Sequence, residues 1–293
     1  VYGYERTYAG AIRPLVTRKP DFDAFFIGGG GYTFPRYLEA TVHTSRLVVA
    51  EIDPQVTEAA HLWLGLPRDT RIEIHNMDAR NYLVWHAAPD SFDVVFGDAF
   101  NDYSVPFHLT TLEFGQIVDG VLRDDGMYLV NIIDGGPNGH FMRAYVRTIQ
   151  QIFRYVAVIP STPQWRETIR TTFVIAASQQ PLDLQYIPAE YSPLSAQDLQ
   201  RYLDLEAPLI LSDDYVPVDN LMAPVVEDSF IHFDFTPDMA ERIWPRIIAV
   251  GSGALVGVLA LVAWLVHRRW SRRAHAHQRL VGGTNDPTDR SAA

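Results

Sequence analysis

A run of four glycines, Gly28 to Gly31, follows a short apolar stretch and precedes a segment of helical character. Glycine at such a turn lets the backbone bend sharply and lets a ligand approach the main chain. Glu51 ends the next apolar stretch about twenty residues later, where a carboxylate can accept hydrogen bonds from both hydroxyls of a ribose. Asp53 either assists Glu51 or only begins the following helix. The spacing predicts a nucleoside site, and the alternative for the glycines is a tight strand–helix turn.

Two further polar segments follow later apolar stretches. Asn76 to Arg80 contains Asp78, which can face the amino group of an adenine or can cap the following helix, and the two roles are compatible. Gly97 to Asp102 carries Asp98 directly after another apolar stretch. Polar residues at the carboxyl ends of parallel strands line the ligand crevice of an open sheet. We therefore expect the loops after the first, second and fourth strands to converge on one edge.

Short apolar segments alternate with amphipathic ones along the first part of the chain. Strands are predicted at 24–27, 47–52, 71–75, 92–97, 127–133, 155–159 and 172–177, and helices at 35–41, 54–64, 79–85, 112–122 and 141–153. Alternation of this kind predicts an α/β fold with a mainly parallel sheet covered on both faces. The continuous apolar strands agree, because such strands are buried on both sides.

Four regions follow from the change in pattern along the chain. After about residue 178 the regularity fades, and Leu209 to Val226 in particular is interpreted as a loop. A short helix is predicted at Ser195 to Leu203, with Ser195 as its N-cap. The predicted organisation is an α/β domain at 1–178, a Pro-rich connector or lid packing on it at 179–243, a transmembrane helix with its flanks at 244–270, and a basic, then disordered tail at 271–293.

The predicted transmembrane helix rests on an uncharged apolar run, Ile247 to Val266. It is long enough to cross a hydrocarbon core of about 30 Å. Arginines follow it from Arg268 to Arg273, which predicts a cytoplasmic C-terminus and an extracytoplasmic large domain. Gly251, Gly253 and Gly257 either form a small-residue face for other integral membrane subunits or reflect ordinary glycine content.

Composition excludes several kinds of site. The formal charge of −11 argues against a nucleic-acid partner, because an acidic surface repels phosphate. With no cysteine, the chain can form no disulfide and no thiolate-ligated metal site. No metal site is predicted elsewhere. His108 and His140 are interpreted as structural or surface residues.

The segments FIGGGGYTFPR, VVAEIDP, NMDAR and FGDAFNDYSVPFHLTTLEF together resemble the spermidine synthase family. These are aminopropyltransferases built on the class I methyltransferase fold, which implies a seven-stranded Rossmann-like sheet. The resemblance covers Tyr2 to Ala177. The later LSDDYVPVDNL, Leu211 to Leu221, is similar to bacterial membrane-fused spermidine-synthase-like proteins.

The resemblance implies roles for individual residues. Decarboxylated S-adenosylmethionine or a related nucleoside is then held by Gly28, Gly30, Glu51 and Asp78. Asp98 helps to deprotonate the attacking amine. The amine substrate is then bound by Asn101, Asp102 and Tyr4.

Departures from the family pattern bear on function. Gly31 stands where an acidic residue is usual, Asn101 stands where a second aspartate is usual, and the N-terminal β domain of typical members is not in this sequence. S-adenosyl compounds are made in the cytosol, away from the predicted position of the domain. Together these points favour a non-catalytic accessory or scaffold subunit of an integral membrane complex. The alternatives are an aminopropyltransferase acting on an amine acceptor and a sensor that binds a nucleoside without turnover, so enzymatic activity stays open.

Overall fold

A seven-stranded sheet forms the centre of the domain. The computed structural model describes residues 2–42, 46–99, 105–136, 139–168 and 170–231, with side chains as far as 225. All of these lie in the first of two compact units, Val1–Ile231. The strands are β1 (Asp23–Ile27), β2 (Arg46–Ala50), β3 (Glu73–His75), β4 (Phe92–Gly97), β5 (Leu122–Asp134), β6 (Tyr155–Pro160) and β7 (Thr171–Ser178).

The strand order is β3-β2-β1-β4-β5-β7-β6. The first five strands in this order pair in parallel, and β7 runs antiparallel to both of its neighbours. The predicted mainly parallel sheet is confirmed, and its order reverses direction beside β1. Loops at the carboxyl ends of β1 and β4 are therefore neighbours, which is the arrangement that forms a ligand crevice in open sheets.

Helices cover both faces of the sheet. They are α1 (Gly3–Arg18), α2 (Thr33–Thr41), α3 (Pro54–Trp63), α4 (Ala79–Trp85), α5 (Leu112–Val121), α6 (His140–Ile149), α7 (Ala196–Leu203) and α8 (Val218–Ile231), with 3₁₀ turns at Phe107–Leu109 and Ala189–Tyr191. Every residue of β4 is buried. Successive strand residues enter opposite cores, so that Phe25 and Val95 pack on one face while Phe26 and Phe96 stack on the other.

The first helix has no counterpart in the sequence-based prediction. Buried Tyr8, Ala11, Ile12 and Leu15 recur on one face of α1 at helical spacing. That face packs with the core formed by β1 and β4. Because α1 runs past the carboxyl end of β4, it places Tyr4 at the predicted crevice.

The segment after the sheet is more regular than its composition indicates. Ser195 caps α7 as predicted, with its Oγ 3.1 Å from the amide nitrogen of Asp198. The prediction of a loop throughout Leu209 to Val226 is wrong, because α8 begins at Val218. Its buried Val218, Met222 and Val225 are spaced three or four residues apart and join the core on the α6 side. Burial of this face outweighs the interruption by a proline inside the helix.

The predicted membrane-spanning run, Ile247 to Val266, lies outside the described residues, as does the tail that follows it. Among the helices of the described part of the chain, none has both the length and the apolar character needed to cross a bilayer.

Candidate functional site

Four of the residues singled out in the sequence lie in a row along the carboxyl edge of the sheet. The strand order places them as Asp78, Glu51, Gly28 and Asp98, after β3, β2, β1 and β4. Backbone hydrogen bonds continue the ladder past the strand ends: Gly28 N–H donates to Ala50 O at 2.9 Å, and Asp98 N–H to Ile27 O at 3.0 Å. The strands therefore fix the spacing of these loops before any ligand is considered.

Gly28 is required by the close approach of two loops. Its φ of +92° favours glycine, and a Cβ atom there stands 2.8 Å from the backbone oxygen of Asp98. Gly30 also has a positive φ, +48°, but open space surrounds its Cβ position. The two glycines thus serve different purposes, since the first keeps two loops together and the second only allows the turn.

The carboxylate of Glu51 binds the backbone of its own site. Its Oε2 accepts N–H groups from Gly29 at 2.8 Å and Gly30 at 3.2 Å, and its Oε1 accepts from Asp53 N–H at 3.0 Å. Glu51 is buried, so these contacts offset the cost of removing its charge from water. This acidic residue holds the glycine loop in place. Asp53 also caps α3, through Oδ1 and Gln55 N–H at 2.8 Å.

A polar cluster surrounds the partly buried Asp98. Its Oδ1 accepts a hydrogen bond from Nδ2 of the buried Asn131 on β5 at 2.9 Å, and its Oδ2 accepts from the hydroxyl of Tyr4 at 3.1 Å. The amide oxygen of Asn131 is buried and has no hydrogen-bond partner in the described part of the chain. The cluster thus combines a carboxylate with an unused acceptor nearby.

Burial raises the pKa of Asp98 to about 6, helped by the negative charge of Glu5 and opposed by the hydrogen bonds from Asn131 and Tyr4. Burial and the charge of Asp98 raise the pKa of Tyr4 well above its usual value. Tyr4 is therefore a hydroxyl donor at neutral pH, while Asp98 is ionised with a basicity well above that of an ordinary aspartate. A carboxylate of this kind is a suitable proton acceptor.

Aromatic rings stand beside this carboxylate. Tyr2 and Tyr4 stack with ring centroids 5.9 Å apart, and Tyr8 meets Tyr4 edge-on at 5.6 Å. The hydroxyl of Tyr8 donates to Gly97 O at 3.3 Å and ties α1 to the end of β4. Carboxylates and aromatic faces both attract cations, so this side of the crevice suits an ammonium group.

Asp78 marks the other end of the row. Its Oδ1 accepts from Asn81 N–H at 2.9 Å, which confirms the predicted N-cap of α4. Its Oδ2 lies 2.8 Å from Nε2 of His108. The interpretation of His108 as only a structural or surface residue is therefore incomplete, because its ring contacts an acid of the predicted site. Ile52, beside Glu51, is 67% exposed and offers apolar surface for a flat ring.

Some predicted residues lie outside this description, and some contributors were missed. Asn101 and Asp102 are outside the described residues, so their assignment to the amine substrate stays a prediction. Asn131 was missed, although a polar side chain within the apolar segment LVNII signals a buried partner. The contact of His108 with Asp78 has no sequence signal, because the two residues are thirty positions apart.

Comparisons with known proteins show which proteins the chain is similar to. No family model matches the chain. A probable polyamine aminopropyl transferase from Bifidobacterium longum is 27% identical over 222 residues, covering 68% of this chain and 48% of that protein. A polyamine aminopropyltransferase from Vibrio vulnificus is 30% identical over 118 residues, 40% of this chain and 39% of that protein. The chain spans about half the length of the curated aminopropyltransferases it matches.

A solved structure shows the same fold. The crystal structure of a probable spermidine synthase from Corynebacterium glutamicum has a TM-score of 0.63 at 21% identity, covering 74% of this chain and 82% of that one. A spermidine synthase solved with the transition-state analogue AdoDATO has a TM-score of 0.51 at 19% identity, covering 69% and 75%. The methyltransferase-like Rossmann fold implied by the sequence resemblance is confirmed. The chain is therefore similar in sequence to polyamine aminopropyltransferases and shares the fold of solved spermidine synthases.

Proposed function

We propose that the described domain binds a sulfonium nucleoside and transfers its aminopropyl group to an amine. The observation that carries this proposal is the cluster around Asp98. A carboxylate whose pKa is raised to about 6 lies between a tyrosine hydroxyl and a buried amide, beside stacked aromatic rings. The amine has to lose a proton during the reaction, and this carboxylate is placed to receive it.

The reaction is a displacement at the carbon next to the sulfonium. The lone pair of the amine nitrogen forms the new carbon–nitrogen bond as the carbon–sulfur bond breaks, and the electron pair of that bond stays on sulfur, giving a neutral thioether. The proton of the former amine passes to Asp98. Tyr4 and Asn131 each donate a hydrogen bond to one carboxylate oxygen of Asp98 and so fix its orientation. The protein then contributes by orienting the reacting groups.

The residues present fit a nucleoside unevenly. On the base side, Asp78 offers a carboxylate that is only partly buried, and the exposed Ile52 offers apolar surface. On the ribose side, Glu51 already accepts three backbone N–H groups. A carboxylate has about four lone-pair sites, so a ribose has to share Glu51 with the glycine loop or displace part of it. We expect nucleoside binding to shift this loop.

Binding and turnover test the proposal separately. Calorimetry with 5′-methylthioadenosine, the thioether that leaves in such a transfer, should give a measurable affinity. Turnover with decarboxylated S-adenosylmethionine and putrescine, followed by product detection, should be lost in Asp98→Asn while nucleoside binding is kept. Asp124→Asn, an exposed carboxylate at another part of the surface, serves as the control. A purified chain that binds no thioether nucleoside contradicts the proposal.

A second candidate, a non-catalytic accessory subunit of a membrane complex, is supported by Glu51. Its carboxylate is satisfied by the chain itself, which is what a fold retained as a rigid body needs. The apolar run Ile247 to Val266 supplies the proposed membrane anchor and contact for other integral membrane subunits. Protease accessibility in sealed vesicles distinguishes the candidates. Cleavage of the large domain only from the extracytoplasmic side favours the accessory subunit, and cytosolic exposure favours the transferase.

A further inference from the structure

We infer that His108 is a positioning residue for base recognition: it orients the Asp78 carboxylate toward the exocyclic amine of a purine and so sets a preference for 6-amino over 6-oxo bases. The inference rests on the proposed nucleoside binding and names a determinant of its specificity. It starts from the contact between two side chains that are not consecutive in the chain and that meet at the base side of the row.

The hydrogen bonds of Asp78 occupy one lone pair on each carboxylate oxygen and leave acceptor capacity for a ligand. Oδ1 caps α4 through Asn81 N–H at 2.9 Å, and Oδ2 lies 2.8 Å from His108 Nε2. An ionised carboxylate only accepts, so Nε2 carries the proton and donates it. Oδ2 then keeps a second lone pair. The side chains of Asp78 and His108 are 17% and 35% exposed, so the pair is partly open to solvent.

His108 is itself held in place. Nη1 of Arg80 donates to the backbone oxygen of His108 at 3.0 Å. The same guanidinium forms a two-pronged ion pair with Asp213, at 2.8 and 2.5 Å, and Asp213 also accepts from the hydroxyl of Thr111 at 2.7 Å. Bidentate pairs of this kind fix geometry as well as charge. The segment containing Asp213 therefore braces the turn that carries the imidazole.

The preference follows from the directions of donation. A 6-amino purine presents an N–H to the free lone pair of Asp78, whereas a 6-oxo purine presents an acceptor to an acceptor. Without His108, the Oδ2 atom loses its fixed partner and binds water, and only the cap bond from Asn81 N–H to Oδ1 still orients the carboxylate. Binding of the 6-amino base then weakens, while binding of the 6-oxo base, which gains nothing from Asp78, changes little.

The test compares 5′-methylthioadenosine with 5′-methylthioinosine by calorimetry on the purified chain. We expect His108→Ala to lose about tenfold in affinity for the 6-amino nucleoside, as for one hydrogen bond to a charged group, and to narrow the discrimination ratio by the same factor. His108→Gln, which keeps a donor, should retain most of the ratio. His86→Gln, at an exposed histidine whose ring lies against Tyr82, should match the wild type.

The outcomes separate this inference from the proposed function. An unchanged ratio in His108→Ala, or an equal loss for both nucleosides, overturns the role of His108 and leaves nucleoside binding in place. A wild-type chain that binds neither nucleoside overturns the proposed function, and the inference with it. His108→Leu preserves the side-chain volume without a donor and replaces His108→Ala if thermal denaturation shows that the alanine variant is unfolded.

Discussion

Replacement of Asp98 by asparagine should stabilise the domain at neutral pH. The stabilisation should be much smaller at pH 4. The folded-state pKa of Asp98 is raised from 3.8 to about 6. A raised pKa contributes stability that is complete below about pH 4 and is lost as the pH rises through 6. This difference between the folded-state and unfolded-state pKa corresponds to an upper limit of about 3 kcal/mol in the free energy of unfolding. Solvent screening of a partly exposed carboxylate reduces it, so we expect roughly 1 to 3 kcal/mol.

The variant keeps the local contacts, which isolates the charge. The Oδ1 atom of an asparagine still accepts from Asn131, and its Nδ2 can donate to the hydroxyl oxygen of Tyr4. Asp134 also has a pKa raised to about 6, mainly by burial, so the raw pH curve of the wild type reports both groups. Only the difference between variant and wild type belongs to Asp98.

Urea denaturation at half-unit steps from pH 4 to pH 8 measures this difference. The free energy of unfolding of Asp98→Asn minus that of the wild type should grow between pH 4 and about 6.5 and then level off. Asp124→Asn, at an exposed position, should give a curve parallel to that of the wild type. A difference for Asp98→Asn that is constant across this range refutes the claim that burial of Asp98 raises its pKa.

Three further substitutions test other parts of the site. Tyr4→Phe removes a hydrogen bond that lowers the pKa of Asp98, so the rising limb of the turnover rate plotted against pH should move above pH 6. If the limb does not move, Tyr4 does not influence proton transfer to Asp98. Glu51→Gln leaves one acceptor for three backbone N–H groups, which should cost roughly 2 kcal/mol in urea denaturation; a loss below about 0.5 kcal/mol contradicts the bracing role. Gly28→Ala should cost well over 1 kcal/mol, because its Cβ meets a backbone oxygen at 2.8 Å, whereas Gly30→Ala, in open space, should cost about 1 kcal/mol; equal losses exclude the loop contact as the cause.

The sequence alone determined the sheet and its functional edge. The strands around Phe92 to Gly97 are continuous apolar segments, and a segment of that kind is stable only when buried on both faces. Local signals also located Asp78 and Ser195 at helix N-termini, since a cap depends on residues three positions away. Parallel strands end at one edge, which is why the pattern predicted that the loops of Glu51, Gly28 and Asp98 converge there.

Tertiary structure decided what these residues contact. Glu51 was predicted to accept hydrogen bonds from a ribose, and the structure adds that its carboxylate holds the glycine loop, because the fold brings those N–H groups within 3.2 Å of it. Asn131 and His108 reach Asp98 and Asp78 across more than 29 positions of sequence. Such contacts depend on how distant elements pack. Residue types and their spacing indicate the periodicity of an element but not the distance between side chains of different elements. The raised pKa of Asp98 also depends on tertiary structure, because Asp98 is buried only when α1, β4 and β5 pack together.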